Sequence, residues 1–428
     1  MLKEYDLKQK GWDELLKDLK EREDEVSGDI TSAVTNILND VRKNGDKALR
    51  EYTEKFDKVV LKDLQVTEEE IEECFNKIDK EVIENLKEAK ENIEYYHKAQ
   101  KSRGFILNKD NGTYLGQRVL PLDSVGVYVP GGTAAYPSSV LMNVIPAKVA
   151  GVKEIVMVTP PGKDGGINPI IGVAAKIAGV TKIYKIGGAQ AIGALAYGTE
   201  TIPQVDKIVG PGNIFVAVAK KLVFGRVDID MIAGPSEILV VADENADPKY
   251  VAADLMSQAE HDKLASAILV TTSKKLYEDT LVELEKQVKT LERKEIIEAS
   301  LNNYGKVIIC ETIDECIEIS NKVAPEHLEL MVKNAMEYLG KVRHAGSVFL
   351  GYNTPEPIGD YFGGTNHVLP TSGTARFFSA LSVDSFIKKS SFLYYSEEAI
   401  QRDGQKIINI ANEEGLTAHA NSVRVRLK

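Results

Sequence analysis

A chain of 428 residues is too long for one ordinary core, and at 43% hydrophobic and 27% charged it has the composition of a soluble protein of two or three domains. Its net charge of -11 argues against a nucleic-acid binder, which carries a basic footprint. Three cysteines without a Cys-x-x-Cys pair (Cys74, Cys310, Cys316) exclude a disulfide framework and a thiolate zinc site, and no apolar run is long enough to cross a bilayer.

The first ten residues are charged and lack the apolar stretch of a secretory signal, so a reduced, cytoplasmic protein with no membrane partner is expected. Trp12 opens a short amphipathic helix, and residues 30–41 continue at helical period. Thr67 caps a helix whose first turn, Glu68 to Glu70, is acidic, as the helix dipole favours. Residues 81–102 read as a long helix in which His97, beside Tyr95 and Tyr96, is a surface or packing histidine. Asn111-Gly112 between two apolar runs signals a hairpin.

From Ser124 the pattern alternates. Residues 125–129, 154–158, 182–186 and 207–209 look like buried strands, each followed by an Ala/Val-rich helical segment. Strands at 237–242, 266–272, 306–310 and 343–349 imply a second sheet of the same kind. After Thr354 the chain turns loop-rich and glycine-rich as far as Arg376, and the last fifty residues hold one clear helix, 396–414, and a basic tail. The fold class is α/β: two Rossmann-like parallel-sheet domains with a helical N-terminal arm and a small C-terminal extension.

Four constellations carry polar chemistry. In the run 254–262, Asp254, Gln258 and His261 fall at spacings of three and four on a helix that Pro248 starts, so they share a face. An amide, an imidazole and a carboxylate suit a mixed N/O metal site, and the bland alternative is a polar helix end in solvent. Three glycine turns, 129–133, 187–191 and 210–213, follow successive strands and line the edge where open α/β sheets bind ligands. None completes the dinucleotide fingerprint, and glycine often serves such turns for geometry alone.

Glu326-His327, just after Pro325, places an acid and a base side by side at a helix-to-strand junction, which suits general acid–base work or a plain surface turn. Asp360 and His367 lie in the glycine-rich segment. Glu414 and His419 flank Gly415, which ends the last helix. His344, Cys310 and Cys316 read as structural.

Together these segments resemble the histidinol dehydrogenases. The runs that carry the resemblance are Tyr128-Val-Pro-Gly-Gly, Gly187-Gly-Ala-Gln-Ala-Ile, Gly210-Pro-Gly-Asn, Ala233-Gly-Pro-Ser-Glu, Gln258-Ala-Glu-His, Ala324-Pro-Glu-His-Leu and Gly346-Ser-Val-Phe-Leu-Gly. Asp360-Tyr-Phe-Gly-Gly-Thr-Asn-His-Val-Leu-Pro and Glu414-Gly-Leu-Thr-Ala-His-Ala-Asn-Ser-Val complete a colinear set over nearly the whole chain.

The resemblance implies oxidation of L-histidinol to L-histidine through histidinal, with NAD and zinc as cofactors. It places Gln258, His261, Asp360 and His419 as zinc ligands, and Ser236, His327, His367 and Glu414, with those four ligands, at the substrate. It makes Glu326 and His327 catalytic and puts Tyr128, Gln190 and Asn213 at NAD. It also implies a homodimer with exchanged C-terminal segments, so that Glu414 and His419 complete the partner's site.

The expected domains are an arm (1–22), an α/β domain with the metal and catalytic residues (23–123 and 236–376), a Rossmann-like NAD-binding domain (124–235) and the exchanged extension (377–428). Competing readings are a zinc hydrolase, which lacks His-Glu-x-x-His here, and a cysteine-dependent aldehyde dehydrogenase, which lacks a cysteine in a glycine-rich turn. A non-enzymatic binding module is the third, and it predicts no metal requirement.

Overall fold

The computed structural model describes residues 1–20, 28–110, 112–131, 135–232 and 234–428. Asn111 of the hairpin signal, Gly132 and Thr133 of the first glycine turn, Ala233 and the 22/23 boundary lie outside the described residues.

Two parallel sheets organise the chain. The five-stranded sheet runs Lys182–Lys185, Glu154–Thr159, Ser124–Tyr128, Lys207–Val209, Asp228–Ile229 in space. The six-stranded sheet runs Lys3–Glu4, Lys306–Ile309, Ser266–Thr271, Glu237–Ala242, His327–Met331, Ser347–Leu350. The central strands are almost wholly buried, as near-continuous apolar runs covered on both faces must be. In each sheet the chain winds outward from the first of these central strands and then crosses to its other side, so each has a switch point beside that strand.

A third, antiparallel sheet joins the expected hairpin, Phe105–Lys109 and Thr113–Pro121, to Ile387–Tyr394. The sequence pattern did not reveal that last strand. Its burial is slight, and Phe105, Ile106, Leu107, Leu393 and Tyr394 are exposed.

The helices Gly28–Asp57, Glu68–Lys77 and Lys80–Lys98 cover the faces of the five-stranded sheet, contributing Val34, Leu38, Ile71 and Ile93 to its two cores. The expected domain division grouped them with the other sheet. Thr67 forms the anticipated cap as a reciprocal box with Glu70. His97 is fully buried: its Nδ1 bonds Gln100 Oε1 and its Nε2 accepts from Asn366, tying the helix to the segment that carries His367. The segment read as loop contains the short helix Glu356–Tyr361, and the basic tail folds as Thr417–Arg424, packed on Glu397–Glu413. Among the described residues no helix is long and apolar enough to cross a membrane.

Candidate active site

The candidate acid–base residues gather at the amino edge of the six-stranded sheet. Ser236 and Glu326 stand just before the strands Glu237–Ala242 and His327–Met331, which pair in parallel with His327 opposite Ile238. Glu326 Oε2 accepts from the Glu237 N–H at 2.9 Å, and His327 Nδ1 lies 2.9 Å from the Glu237 carbonyl. A carbonyl only accepts, so Nδ1 carries the proton and Nε2 holds a bare lone pair. That Nε2 is buried and unpartnered among the described residues, 3.7 Å from Glu356 Oε1 and 4.0 Å from Asp360 Oδ1. Glu326 Oε2 stands 3.6 Å from Nδ1, behind the ring. Burial lowers the His327 pKa, keeping the ring neutral and basic.

The helix Pro248–Ala259, which carries Gln258, reaches the same cluster, where Ser257 Oγ donates to Glu356 Oε2 at 3.4 Å and Asp254 faces Glu329. Gln258 is 1% exposed, and neither side-chain Oε1 nor Nε2 has a partner among the described residues. Asp254, one turn earlier, is buried too, so the helix end is not a solvent-facing polar terminus. His261 lies past the helix in the next turn and is exposed, although its charge reaches His327 and His367. His367 Nδ1 is 3.7 Å from Asp360 Oδ1, its Nε2 is 3.4 Å from Ser139 Oγ, and burial pushes its pKa down to about 4.

Two acids joined this cluster without being singled out from the sequence. Glu356 is i−4 to Asp360 on the short helix, and Glu329 is i+2 to His327 on the strand, so both share a face with a residue that was. The Glu356 N–H donates to Glu329 Oε1 at 2.8 Å. Burial and the Asp254 carboxylate push Glu329 well up, and burial raises Asp254 to about 6, so the two carboxyls resist ionising together. Burial, then the Glu356 charge, pushes Asp360 up to about 10.

Buried carboxylates crowded in this way oppose one another's ionisation, and a divalent cation would reverse that. His327, Glu356 and Asp360 offer ligand atoms within 4.8 Å of one another. With the orphaned Gln258 amide on the helix packed against them, the donor set of amide, imidazole and carboxylate fits a zinc ion. Glu414 and His419 are exposed on the C-terminal helical pair, and no described hydrogen bond or ion pair joins them to this cleft within one chain.

A cavity of about 1090 Å³ opens at the carboxyl edge of the five-stranded sheet, lined by Tyr128, Gly131, Gly188, Gln190 and Asn213. Gly210 (φ 112°) is required there, because a Cβ would sit 2.1 Å from the Tyr128 carbonyl. Its turn is clamped by the buried Lys220–Asp230 pair, with Asp230 accepting from the Gly210 N–H and Lys220 donating to its carbonyl. Asn213 caps the helix Ile214–Val223 through its side-chain oxygen. The Gly188 N–H donates to the Tyr128 hydroxyl at 3.2 Å. Cys316 is buried and Cys310 half-buried, and neither lines this cavity.

Two doubly wound sheets, with a nucleotide-sized cavity on one and a buried acid–base and metal-donor cluster on the other, define an α/β enzyme. The comparisons with known proteins make that class specific. The sequence model of the histidinol dehydrogenase family matches residues 20–427. The histidinol dehydrogenase of Clostridium acetobutylicum is 60% identical over 410 residues, 96% of this chain and 95% of the relative. That of Geobacillus kaustophilus is 58% identical over 396 residues, 92% of this chain and 93% of the relative. The crystal structure of the Elizabethkingia anophelis histidinol dehydrogenase superposes with a TM-score of 0.92 at 43% identity, covering 96% of this chain and 95% of that one. The chain belongs to the histidinol dehydrogenase family, oxidoreductases of histidine biosynthesis.

Proposed function

We propose that this enzyme oxidises L-histidinol to L-histidine in two NAD-dependent steps through histidinal, with a zinc ion at the cleft. The observation that carries the reading is the His327 ring. Glu237 fixes its tautomer, burial keeps it neutral, and its bare Nε2 faces the carboxylates. Nε2 takes the proton of the substrate hydroxyl, and takes a second proton in the next oxidation. Glu326, held by the Glu237 N–H, removes a proton from the water that attacks the aldehyde. Ser236 and His367 contact the substrate, and enclosure by the cleft keeps the aldehyde from side reactions.

Gln258, His261 and Asp360 would hold zinc together with His419 of a second copy, and His327, although its ring is one of the ligand atoms clustered with Glu356 and Asp360, would serve as the base instead. When bound, zinc would template the imidazole and amino group of histidinol, and NAD would accept a hydride in each half-reaction. Tyr128, Gln190 and Asn213 meet NAD in the cavity of the five-stranded sheet.

The same reading makes the protein a cytoplasmic homodimer. Support comes from the exposed apolar strands of the antiparallel sheet and from the placing of Glu414 and His419 outside their own cleft. The domains then are the arm 1–22, the metal and catalytic domain 236–376, the NAD-binding domain 124–235 and the exchanged extension 377–428. By packing, helices 28–98 belong with the NAD-binding sheet.

NADH formation from L-histidinol and NAD is the test, with metal stripped and zinc restored. Activity abolished by chelation and rescued by zinc supports the reading, and NADH formation that survives chelation overturns the zinc assignment. The shared site has its own check. His261→Asn and His419→Asn homodimers, unfolded together and refolded, regain activity if each cleft borrows His419, and stay as inactive as the parents if it does not.

A further inference from the structure

Of the charged side chains lining the cavity on the five-stranded sheet (Lys55, Asp57, Lys163 and Asp164), Asp57 alone is half-buried, and the proposed chemistry leaves it without a task. Asp57 is the last residue of the helix Gly28–Asp57 and lines that cavity. Its Oδ2 is buried and has no hydrogen-bond partner among the described residues. Folding does not favour a carboxylate there. Burial raises its pKa, and the helix dipole opposes negative charge at a C-terminus.

A second acceptor lines the same space. Gln190 is 2% exposed, and its Oε1 is likewise unpartnered among the described residues. The Asp57 charge also reaches the phenol of Tyr128, the residue that takes the Gly188 N–H. This part of the cavity therefore offers two buried acceptors without a partner among the described residues, Asp57 Oδ2 and Gln190 Oε1. Its complement is a ligand group that brings hydroxyls and no negative charge.

In doubly wound dinucleotide sites an acid near the end of the second strand takes the ribose hydroxyls. Here that strand, Glu154–Thr159, runs into Pro160 and Pro161, and the acid on the loop beyond them, Asp164, also lines the cavity but is exposed and accepts from the Gly166 N–H. Asp57 supplies a carboxylate to the cavity from a different element. We infer that Asp57 is the specificity-determining residue for the dinucleotide: with Gln190 Oε1 it accepts the hydroxyls of an unphosphorylated ribose and rejects a 2′-phosphate.

The inference rests on the proposed reading of this cavity as the NAD site. A 2′-phosphate would bring roughly two negative charges against a half-buried carboxylate. Lys55 and Lys163 also line the cavity, but both are exposed, where solvent and salt screen them.

The test is the rate of the zinc-loaded enzyme at saturating histidinol, with NAD or NADP varied, for the wild type, Asp57→Asn and Asp57→Ser. The wild type should favour NAD by on the order of 100-fold in kcat/KM, and the variants should narrow that ratio about tenfold or more. The change should lie in the dinucleotide KM, with the histidinol KM unmoved and the thermal midpoint no lower, since the helix end loses an unfavourable charge. A wild type that uses both dinucleotides equally, or variants that keep its ratio, would overturn the inference. Asn213→Ala separates the two levels. If it raises the NAD KM and the Asp57 variants leave the ratio alone, only the inference falls. If neither Asn213→Ala nor Asp57→Asn moves the NAD KM, the reading of the cavity falls with it.

Discussion

The two parallel sheets share one winding plan and use opposite edges. In the five-stranded sheet the switch between Ser124–Tyr128 and Lys207–Val209 opens at the carboxyl ends into the large cavity, where open α/β sheets bind ligands. In the six-stranded sheet the matching switch lies between Glu237–Ala242 and His327–Met331, but the chain closes it from within. Asp243 accepts from the N–H groups of Lys333 and Asn245 and from the Tyr352 hydroxyl, so its carboxylate is satisfied. At the amino edge of that sheet Gln258, His327 and Glu356 keep buried polar atoms unpartnered among the described residues. Winding alone does not choose the working edge. Unmet hydrogen-bonding capacity marks it.

That contrast can be broken at either edge. Removing the base should have the largest effect: His327→Asn should lower kcat by about 10²–10⁴-fold with zinc content unchanged, read from initial rates and elemental analysis. Gln258→Leu comes next. It fills the space without a ligand atom, so retained zinc after dialysis should fall by at least about tenfold, with activity falling in step. On the closed edge, Tyr352→Phe should cost about 2 kcal/mol in urea unfolding and leave kcat as it was, since it removes a bond to a charged group far from the chemistry.

The smallest effect is a pH slope. Burial lowers the His97 pKa, so the unfolded chain binds its proton more readily, and stability is lost as pH falls below about 6.5. His97→Asn should remove up to about 1.4 kcal/mol per pH unit of that slope, measured as unfolding free energy from pH 7.5 down to 5.5.

Much of this was legible in the sequence because burial leaves a pattern. Runs such as Glu237-Ile-Leu-Val-Val-Ala declare buried strands, Thr67 declares a helix start, and the i, i+4 spacing of Asp254 and Gln258 put both on the buried face. The pairing of Glu326 with His327 survived for the same reason: the turn before a strand lets neighbours reach one pocket.

What the sequence withheld depends on the other side of a contact. Nothing in an amphipathic helix says which sheet it will cover, and helices 28–98, expected in one domain with the six-stranded sheet, pack on the five-stranded one. The strand expected at 343–349 starts only at Ser347, because Asn321 Oδ1 takes the N–H groups of Arg343 and His344. Glu329 and Glu356 were readable by the same periodicities as their neighbours. An acid in an apolar strand, or ahead of a proline, has no chemical signature of its own, and only the carboxylates that the fold packs beside it set these two apart.

The most direct test of two edges serving one reaction is to count NADH formed per histidinol for the wild type and Glu326→Gln. The account predicts two for the wild type, and one, with aldehyde accumulating, for the variant, because the hydration step would fail while His327 and the NAD cavity remain. Two NADH from Glu326→Gln, or one from the zinc-loaded wild type, would contradict it.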